Sequence, residues 1–170
     1  MNLSCFWAKK NRVNNIPKWL PLMIHLNDTM EVCGLLYEYW LSEGVKSLLQ
    51  KSVVSQSNDN GLLLKNICKF LGATHDIGKA IPIFQFKPSI YNDKELDDII
   101  IDNFKKAGFK NIDLFLSNKK ENLPHNQSGQ YILNKFGVNF CVANIVGAHH
   151  GRPLPPFFLV SSFFLVAIIF

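Results

Sequence analysis

Hydrophobic residues recur at roughly helical spacing through the first half of the chain. Over residues 17–44 they follow a proline-rich start and predict a first helix, for which Gly44 is a plausible stop. The apolar positions of this helix are Ile24, Leu35, Leu36, Tyr39 and Trp40. A polar, turn-rich stretch at 52–61 separates it from residues 62–78, which are almost wholly apolar. The second stretch predicts a central, buried helix.

The second half of the chain continues the helical pattern. Residues 80–87 form a short apolar continuation, and residues 94–107 have the two faces of an amphipathic surface helix. Two further helices are predicted at about 125–136 and 139–150. The sequence has no sustained period-2 alternation, internal repeat or low-complexity tract, and 170 residues suit one domain. We therefore expect an all-α fold, a single helical bundle.

Composition narrows the class of protein. Hydrophobic residues make up 48% of the chain and charged residues 18%, so a folded core is expected rather than disorder. The formal charge of +5 is compatible with nucleic-acid binding but does not establish it. Four cysteines lie far apart without a C-x-x-C pair, which argues against a disulfide framework or a zinc knuckle. They are expected to be reduced and buried: Cys5, Cys33, Cys68 and Cys141.

Sequence signals at the two ends bear on location. The first residues lack the continuous apolar stretch of a secretory signal, so we expect a cytoplasmic protein. The last fourteen residues, 157–170, read FFLVSSFFLVAIIF. This stretch is shorter than the roughly 20 residues needed to span a bilayer, so no membrane association is expected.

The chemistry of the chain is concentrated in five histidines, each on or beside a predicted helix. Asp76 directly follows His75, and His150 directly follows His149. Imidazole and carboxylate groups bind divalent first-row metals without clustered thiolates. Neighbouring residues on a helix point about 100° apart, so an adjacent pair would serve two ions more readily than one. Two ions ~3.5–4 Å apart suit phosphodiester hydrolysis. A single histidine is more often a hydrogen-bonded core residue, and it is the set that favours a metal site.

Two other residue groups favour structural roles. The three tryptophans, Trp7, Trp19 and Trp40, are expected to pack in the core rather than to stack on bases. Lysines at 105–120 alternate with acidic residues and are expected to form a solvated face of mixed charge.

A resemblance to a known family rests on five segments: WAKK at 7–10, PLMIHLNDT at 21–29, LGATHDIGKAIPIFQ at 71–85, PHNQSGQYIL at 124–133 and IVGAHHGRP at 145–153. In this order they resemble the HD nuclease domain of the CRISPR-associated nuclease-helicase. The resemblance implies an HD-domain helical bundle around a metal site, occupying residues 1–152. It also implies a metal-dependent DNA nuclease of CRISPR-Cas antiviral defence that hydrolyses phosphodiester bonds of single-stranded DNA.

The resemblance assigns all five histidines and one carboxylate to the metal site: His25, His75, Asp76, His125, His149 and His150. Asp76 and His75 would also be catalytic, together with Lys79, whose ammonium could contact a phosphate. For Lys79 the alternative is a solvated lysine at a helix end. Gly78 would let the backbone approach closely. The implied cofactors are two divalent ions, Mn, Fe, Ni, Co or Mg. The implied partners are single-stranded DNA, a CRISPR surveillance complex and a helicase domain or subunit.

One family feature has no counterpart here. The family supplies a late aspartate to the metal site, whereas this chain has no Asp after Asp113 and ends in an uncharged apolar tail at 153–170. We therefore expect a domain that is incomplete at its C-terminal end. Two alternatives stay open: an HD-superfamily phosphohydrolase acting on a nucleotide or small phosphoester, and a non-catalytic fragment that retains the fold. The WAKK and GAHHG segments favour the nuclease over the phosphohydrolase.

Overall fold

Helices carry most of the chain in the computed structural model, which describes residues 2–52, 60–117 and 123–155. The α-helices of these residues are α1 (Leu22–Leu35), α2 (Glu43–Ser52), α3 (Asn60–Thr74), α4 (Pro82–Gln85), α5 (Lys94–Lys106), α6 (Ile112–Ser117), α7 (His125–Lys135) and α8 (Phe140–Gly147). The all-helical class is thus confirmed, with one small hairpin added. Along the described ranges, no helix combines the length and the apolar character needed to cross a membrane.

Two antiparallel strands, β1 (Trp7–Val13) and β2 (Ile16–Pro21), precede the first helix. They are joined by Asn14 and Asn15, whose φ angles of 51° and 61° suit a tight two-residue turn. The sequence did not predict this hairpin, because neither strand alternates strictly and β2 contains two prolines. The prediction that residues 17–21 belong to the first helix is wrong, since they form most of β2.

The boundary after the first helix also differs from the prediction. A π-helical turn, Leu36–Trp40, directly follows α1, and Leu41 is then extended with φ −69° and ψ 129°. The Ser42 hydroxyl accepts the Val45 N–H at 3.4 Å, the arrangement of a helix N-cap. Gly44 lies inside α2, so the prediction of a helix stop at this glycine is wrong.

One face of α3 packs against α1. Where Gly72 faces α1, an added Cβ would lie 2.7 Å from the Thr29 carbonyl oxygen, so only glycine permits this approach. Leu64 is 5% exposed, but Leu62 is 55% and Phe70 38% exposed. The prediction of a central, buried helix therefore holds for one face of α3 and is wrong for the other. An apolar composition shows that a face can be buried, but it does not show how many faces are covered.

The main core lies between the hairpin, the α4 region and α5. Leu96, Ile100 and Phe104, spaced one turn apart on α5, are at most 2% exposed. The ring of Phe104 meets that of Phe6 edge-on, with 4.9 Å between centroids. The predicted amphipathic helix at 94–107 is confirmed to within one residue. On its outer face, Lys106 pairs with Asp102 at 2.6 Å, which agrees with the predicted mixed charge.

Predicted burial holds for some residues and fails for others. Trp7 is 3% exposed and Trp19 packs against the core, as predicted. Trp40 is 75% exposed, so its predicted core position is wrong. The four cysteines are free; Cys5 is buried, whereas Cys141 is exposed and contradicts the expectation of burial.

Most of the predicted apolar tail at 153–170 lies outside the described residues, as does most of the polar stretch at 52–61. The tail therefore stays a prediction. Leu154 is described and buried, and its N–H is donated to Oε1 of Gln130 at 2.7 Å.

Candidate metal centre

Helix ends and turns bring the predicted site residues together. The chain leaves α3 at Thr74, earlier than predicted, and passes through His75 and Asp76 into a 3-10 turn, Ile77–Ala80. The other candidates reach the same place from three helices: His25 from α1, His125 from the start of α7, and His149 and His150 from just beyond α8.

Gly78 sets how closely the 3-10 turn approaches α7. A Cβ on Gly78 would overlap the carbonyl oxygen of His125 and the backbone nitrogen of Gly129. Because both obstacles are backbone atoms, no side-chain rotation would relieve the clash. The close backbone approach expected at Gly78 is thus present, and it is made to α7. This approach brings His125, at the start of α7, beside Asp76.

Asp76 lies at the centre of the histidines, with its side chain 6% exposed. Its Oδ2 is 2.9 Å from Nε2 of His25 and 3.2 Å from Nε2 of His75. Its Oδ1 is 3.1 Å from Nε2 of His125 and 3.6 Å from Nε2 of His149. Four imidazole nitrogens from distant parts of the chain therefore converge on one buried carboxylate.

The protonation of two rings shows that this donor set suits a cation. Nδ1 of His75 lies 2.8 Å from the Gly72 carbonyl oxygen, and Nδ1 of His149 lies 2.6 Å from that of Val146. A carbonyl oxygen only accepts, so Nδ1 carries the hydrogen in both rings. In the neutral rings Nε2 then presents a lone pair toward a carboxylate oxygen of Asp76. Two electron-rich atoms face each other favourably only with a proton or a metal cation between them, so these residues fit a divalent metal.

The candidate ligands form two groups, in each of which the ligand atoms lie within 4.8 Å of one another: His25, His75 and Asp76, and His125, His149 and His150. His150 joins through His125 rather than through the carboxylate, with 3.1 Å between their Nε2 atoms. One of these nitrogens must donate to the other, or both must face a cation. The structure thus brings all six predicted ligands together.

Asp76 is held in its charged form. Burial alone would raise the pKa of Asp76, but hydrogen bonds from His125, His75 and Lys79, with the charge of Lys79, hold that pKa well below its usual range. The carboxylate is consequently ionised at neutral pH, which is the form that binds metals.

The histidines around the carboxylate differ in their preference for a proton. Burial lowers the pKa of His25 and of His149, so both rings are neutral near pH 7. The pKa of His75 is raised, chiefly by its hydrogen bond to Asp76. A metal at this place would substitute for the proton between His75 and the carboxylate.

Lys79 is a buried member of the centre. Its Nζ lies 2.6 Å from Oδ2 of Asp76 and 3.3 Å from the carbonyl oxygen of Ala8. The residue is only 9% exposed, so the alternative of a solvated lysine at a helix end is wrong. Its ammonium partly neutralises the carboxylate that the histidines share.

Gln85, a residue that the sequence pattern did not predict to be part of the site, links β1 to the 3-10 turn Ile77–Ala80. Its side chain is fully enclosed, and its Oε1 accepts the Trp7 N–H at 3.0 Å. Its Nε2 donates to the carbonyl oxygens of Trp7 at 3.0 Å and Lys79 at 2.7 Å. The signal for this role was a lone amide within the apolar run PIFQF.

Two buried side-chain amides of α7 hold the chain on either side of His149 and His150. The sequence pattern did not predict this role. Asn126 donates to the Gly147 carbonyl oxygen just before the pair. Gln130 donates to the Leu154 carbonyl oxygen at 3.1 Å, just after it. The signal was a pair of amides one helical turn apart in HNQSGQ.

The centre opens into a cleft of about 530 Å³. This volume is typical of ligand-binding sites. Beside the metal-site residues, lysines and aromatic rings line it: Lys9, Lys10, Lys79, Lys87, Trp7 and Phe84. The cleft therefore combines candidate metal ligands with positive charge.

Fold and centre together define a helical domain built around an aspartate-histidine cluster that could hold divalent metals. A sequence-family model described as "Cas3, HD domain" matches residues 7–157. Because this match covers most of the chain, the chain belongs to the Cas3 HD-domain family, and the resemblance in its sequence is confirmed.

A curated relative gives the same result. The chain is 43% identical over 151 residues to the CRISPR-associated nuclease/helicase Cas3 of Streptococcus thermophilus. The match covers 88% of this chain but 16% of the relative, so the chain spans about a sixth of that protein's length. No solved structure matches the chain.

Proposed function

We propose that this domain is a metal-dependent nuclease that hydrolyses phosphodiester bonds of single-stranded DNA in a CRISPR-Cas antiviral system. The observation that carries the proposal is the convergence of four histidines on the buried Asp76, with His150 joined to them through His125, in a cleft lined by lysines. Family membership supports the nuclease class. The positive cleft supports a polyanionic substrate.

We assign one divalent ion, Mn, Fe, Ni, Co or Mg, to each of the two ligand groups. Paired divalent ions supply charge stabilisation of a phosphoryl group and a nucleophile at neutral pH. The chain's part is to hold the ligands in position. His75 and His149 do so through the Nδ1–H groups that they donate to backbone carbonyls, which leave Nε2 directed at the site.

We assign Lys79 contact with the substrate phosphate. Its ammonium lies at Oδ2 of Asp76, the oxygen that also faces His25 and His75. An ammonium fixed at this point is beside any phosphate that reaches the ligands. It has three donors, and the buried setting strengthens its interaction with a phosphate oxygen.

Cleavage of single-stranded DNA tests the proposal. The purified chain is incubated with a labelled oligonucleotide and Mn²⁺, Ni²⁺ or Co²⁺, beside Asp76→Asn and the matched control Asp98→Asn, an exposed carboxylate on α5. We expect the native chain and Asp98→Asn to cut. Asp76→Asn should lose about 100-fold or more, since a metal ligand matters at least as much as the groups that orient ligands. Equal cleavage by native chain and Asp76→Asn would contradict the metal assignment.

The same proteins separate the alternatives when they are also assayed with nucleotides and small phosphoesters and titrated with metal. Hydrolysis of nucleotides or small phosphoesters without DNA cleavage would indicate the phosphohydrolase. Metal binding without hydrolysis of either substrate would indicate a non-catalytic fragment.

A helicase domain or subunit and a surveillance complex are proposed partners, the first because the relative's name includes a helicase. A cytoplasmic location belongs to the same proposal.

A further inference from the structure

Lys87 lies on an aromatic surface in the wall of the metal cleft. Its Nζ is 4.0 Å from the centroid of the Phe84 ring and 5.6 Å from that of Trp7. These two rings pack on each other with 4.7 Å between centroids, and both residues are buried. Cation–π attraction therefore holds the ammonium of Lys87 against these two packed rings.

The charge of Lys87 is not balanced by a nearby carboxylate. In the same cleft, Lys10 pairs with Asp97 and Lys79 pairs with Asp76, each at 2.6 Å. Among the described residues, no carboxylate oxygen lies within 4.0 Å of the Lys87 ammonium. Partial desolvation is the main cause that lowers the pKa of Lys87, and the positive charges of Lys79 and Lys10 lower this pKa further.

The backbone that carries Lys87 is fixed. Its carbonyl oxygen accepts a hydrogen bond from Nζ of Lys10 at 2.8 Å. Two residues earlier, Gln85 is fastened to Trp7 by three hydrogen bonds. Lys87 thus presents its ammonium from a firmly anchored segment rather than from a loose loop.

We propose that Lys87 binds a backbone phosphate of a single-stranded DNA substrate, next to the phosphate that is hydrolysed. This inference rests on the proposed function. An unbalanced cation fixed beside a metal centre attracts an anion, and a polynucleotide supplies a second phosphate once the first has reached the ligands. A small phosphoester with one phosphate at the metal centre would leave Lys87 without a counter-ion.

The test compares Lys87→Gln and Lys87→Arg with the native chain. Lys110→Gln is the matched control, because Lys110 is exposed and does not line the cleft. Binding of a labelled dT oligonucleotide is measured by fluorescence anisotropy in EDTA over a range of salt concentrations. KM and kcat are then measured with Mn²⁺, and thermal melting checks that each variant is folded.

We expect Lys87→Gln to raise Kd and KM about fivefold, the factor for one ion pair at 4 Å in a water-like dielectric. Its kcat should stay within about twofold, and the slope of log K against log salt should shrink by about 0.7. Lys87→Arg should restore binding, because it restores the charge. Lys110→Gln should behave as the native chain does.

Each outcome bears on a definite claim. If Lys87→Gln and Lys110→Gln bind equally while the native chain cuts DNA, the assignment of Lys87 is overturned and the proposed function stands. If the native chain binds but does not cut, and Lys87→Gln still weakens binding, the proposed function fails and the phosphate contact stands. If the native chain does not bind DNA at all, both are overturned.

Discussion

Truncation of Gln85 to alanine tests whether one buried amide holds the hairpin on the metal centre. The change removes three side-chain hydrogen bonds and leaves the Trp7 N–H, the Trp7 carbonyl and the Lys79 carbonyl without these partners. A buried polar group that loses its partner costs about 1–3 kcal/mol. We take the low end for each group, since water from the adjoining cleft can enter the space, and expect a loss of about 3 kcal/mol. For a chain of this size that corresponds to about 6 to 12 °C in Tm.

Thermal and urea unfolding in EDTA, followed by circular dichroism, measure this loss. Gln50→Ala on α2 is the control, because it removes the same atoms away from the centre; we expect it to change stability by less than about 0.5 kcal/mol. Gln85→Glu keeps the shape but replaces the donor by a carboxylate that faces two carbonyl oxygens, so it should destabilise at least as much as Gln85→Ala. Unfolding midpoints for Gln85→Ala and Gln85→Glu equal to that of the native chain would refute the anchoring role.

Three further predictions concern backbone approach, pH and thiol exposure. Gly78→Ala should destabilise by about 2 kcal/mol or more in urea unfolding, because its Cβ meets backbone of α7, whereas Gly44→Ala in the open surroundings of α2 should stabilise by about 0.5–1 kcal/mol. The pKa of Asp76 is lowered on folding, so its ionised carboxylate stabilises the folded chain. This stabilisation is complete above the unfolded pKa of about 4 and is lost as the pH falls below that value. Asp76→Asn should therefore flatten the fall in stability between about pH 5 and 3 in EDTA. A thiol reagent at pH 8 should modify exposed Cys141 quickly and Cys5 slowly, since Cys5 is buried and burial raises the pKa of its thiol.

Each of these predictions has a result that would count against it. Equal stability of the two glycine variants would contradict the backbone clash at Gly78. Parallel pH profiles of the native chain and Asp76→Asn would show that another group governs the acid transition. Mass spectrometry that finds Cys5 and Cys141 labelled at the same rate would contradict the difference in burial.

The fold was predictable where a segment has one clearly apolar face. In α5, Leu96, Ile100 and Phe104 recur every turn, and the helix was located to within one residue. The hairpin was missed because β2 contains two prolines and neither strand alternates strictly, although the Asn-Asn turn offered a signal. The sequence did not predict the boundary at Ser42, because Gly44 is a common helix-stop residue but here lies inside α2, and the Ser42 hydroxyl caps the start of that helix.

The members of the site were predictable, whereas their arrangement was not. The sequence predicts the five histidines and Asp76 as one set, and they lie together in the structure. Which nitrogen of His75 or His149 carries the hydrogen depends on a carbonyl one helical turn earlier. The burial of Lys79 and the anchoring by Gln85 depend on contacts with β1, an element that the periodicity did not show.

The central claim is that Asp76 and the histidines around it hold divalent metal. Calorimetric titration of the metal-free chain with Co²⁺, followed in parallel by visible absorption, tests this most directly in the native chain, Asp76→Asn and Asp98→Asn. The account predicts saturable binding by the native chain and Asp98→Asn, and at least about 10- to 100-fold weaker binding by Asp76→Asn. The same affinity and stoichiometry in all three proteins would contradict it.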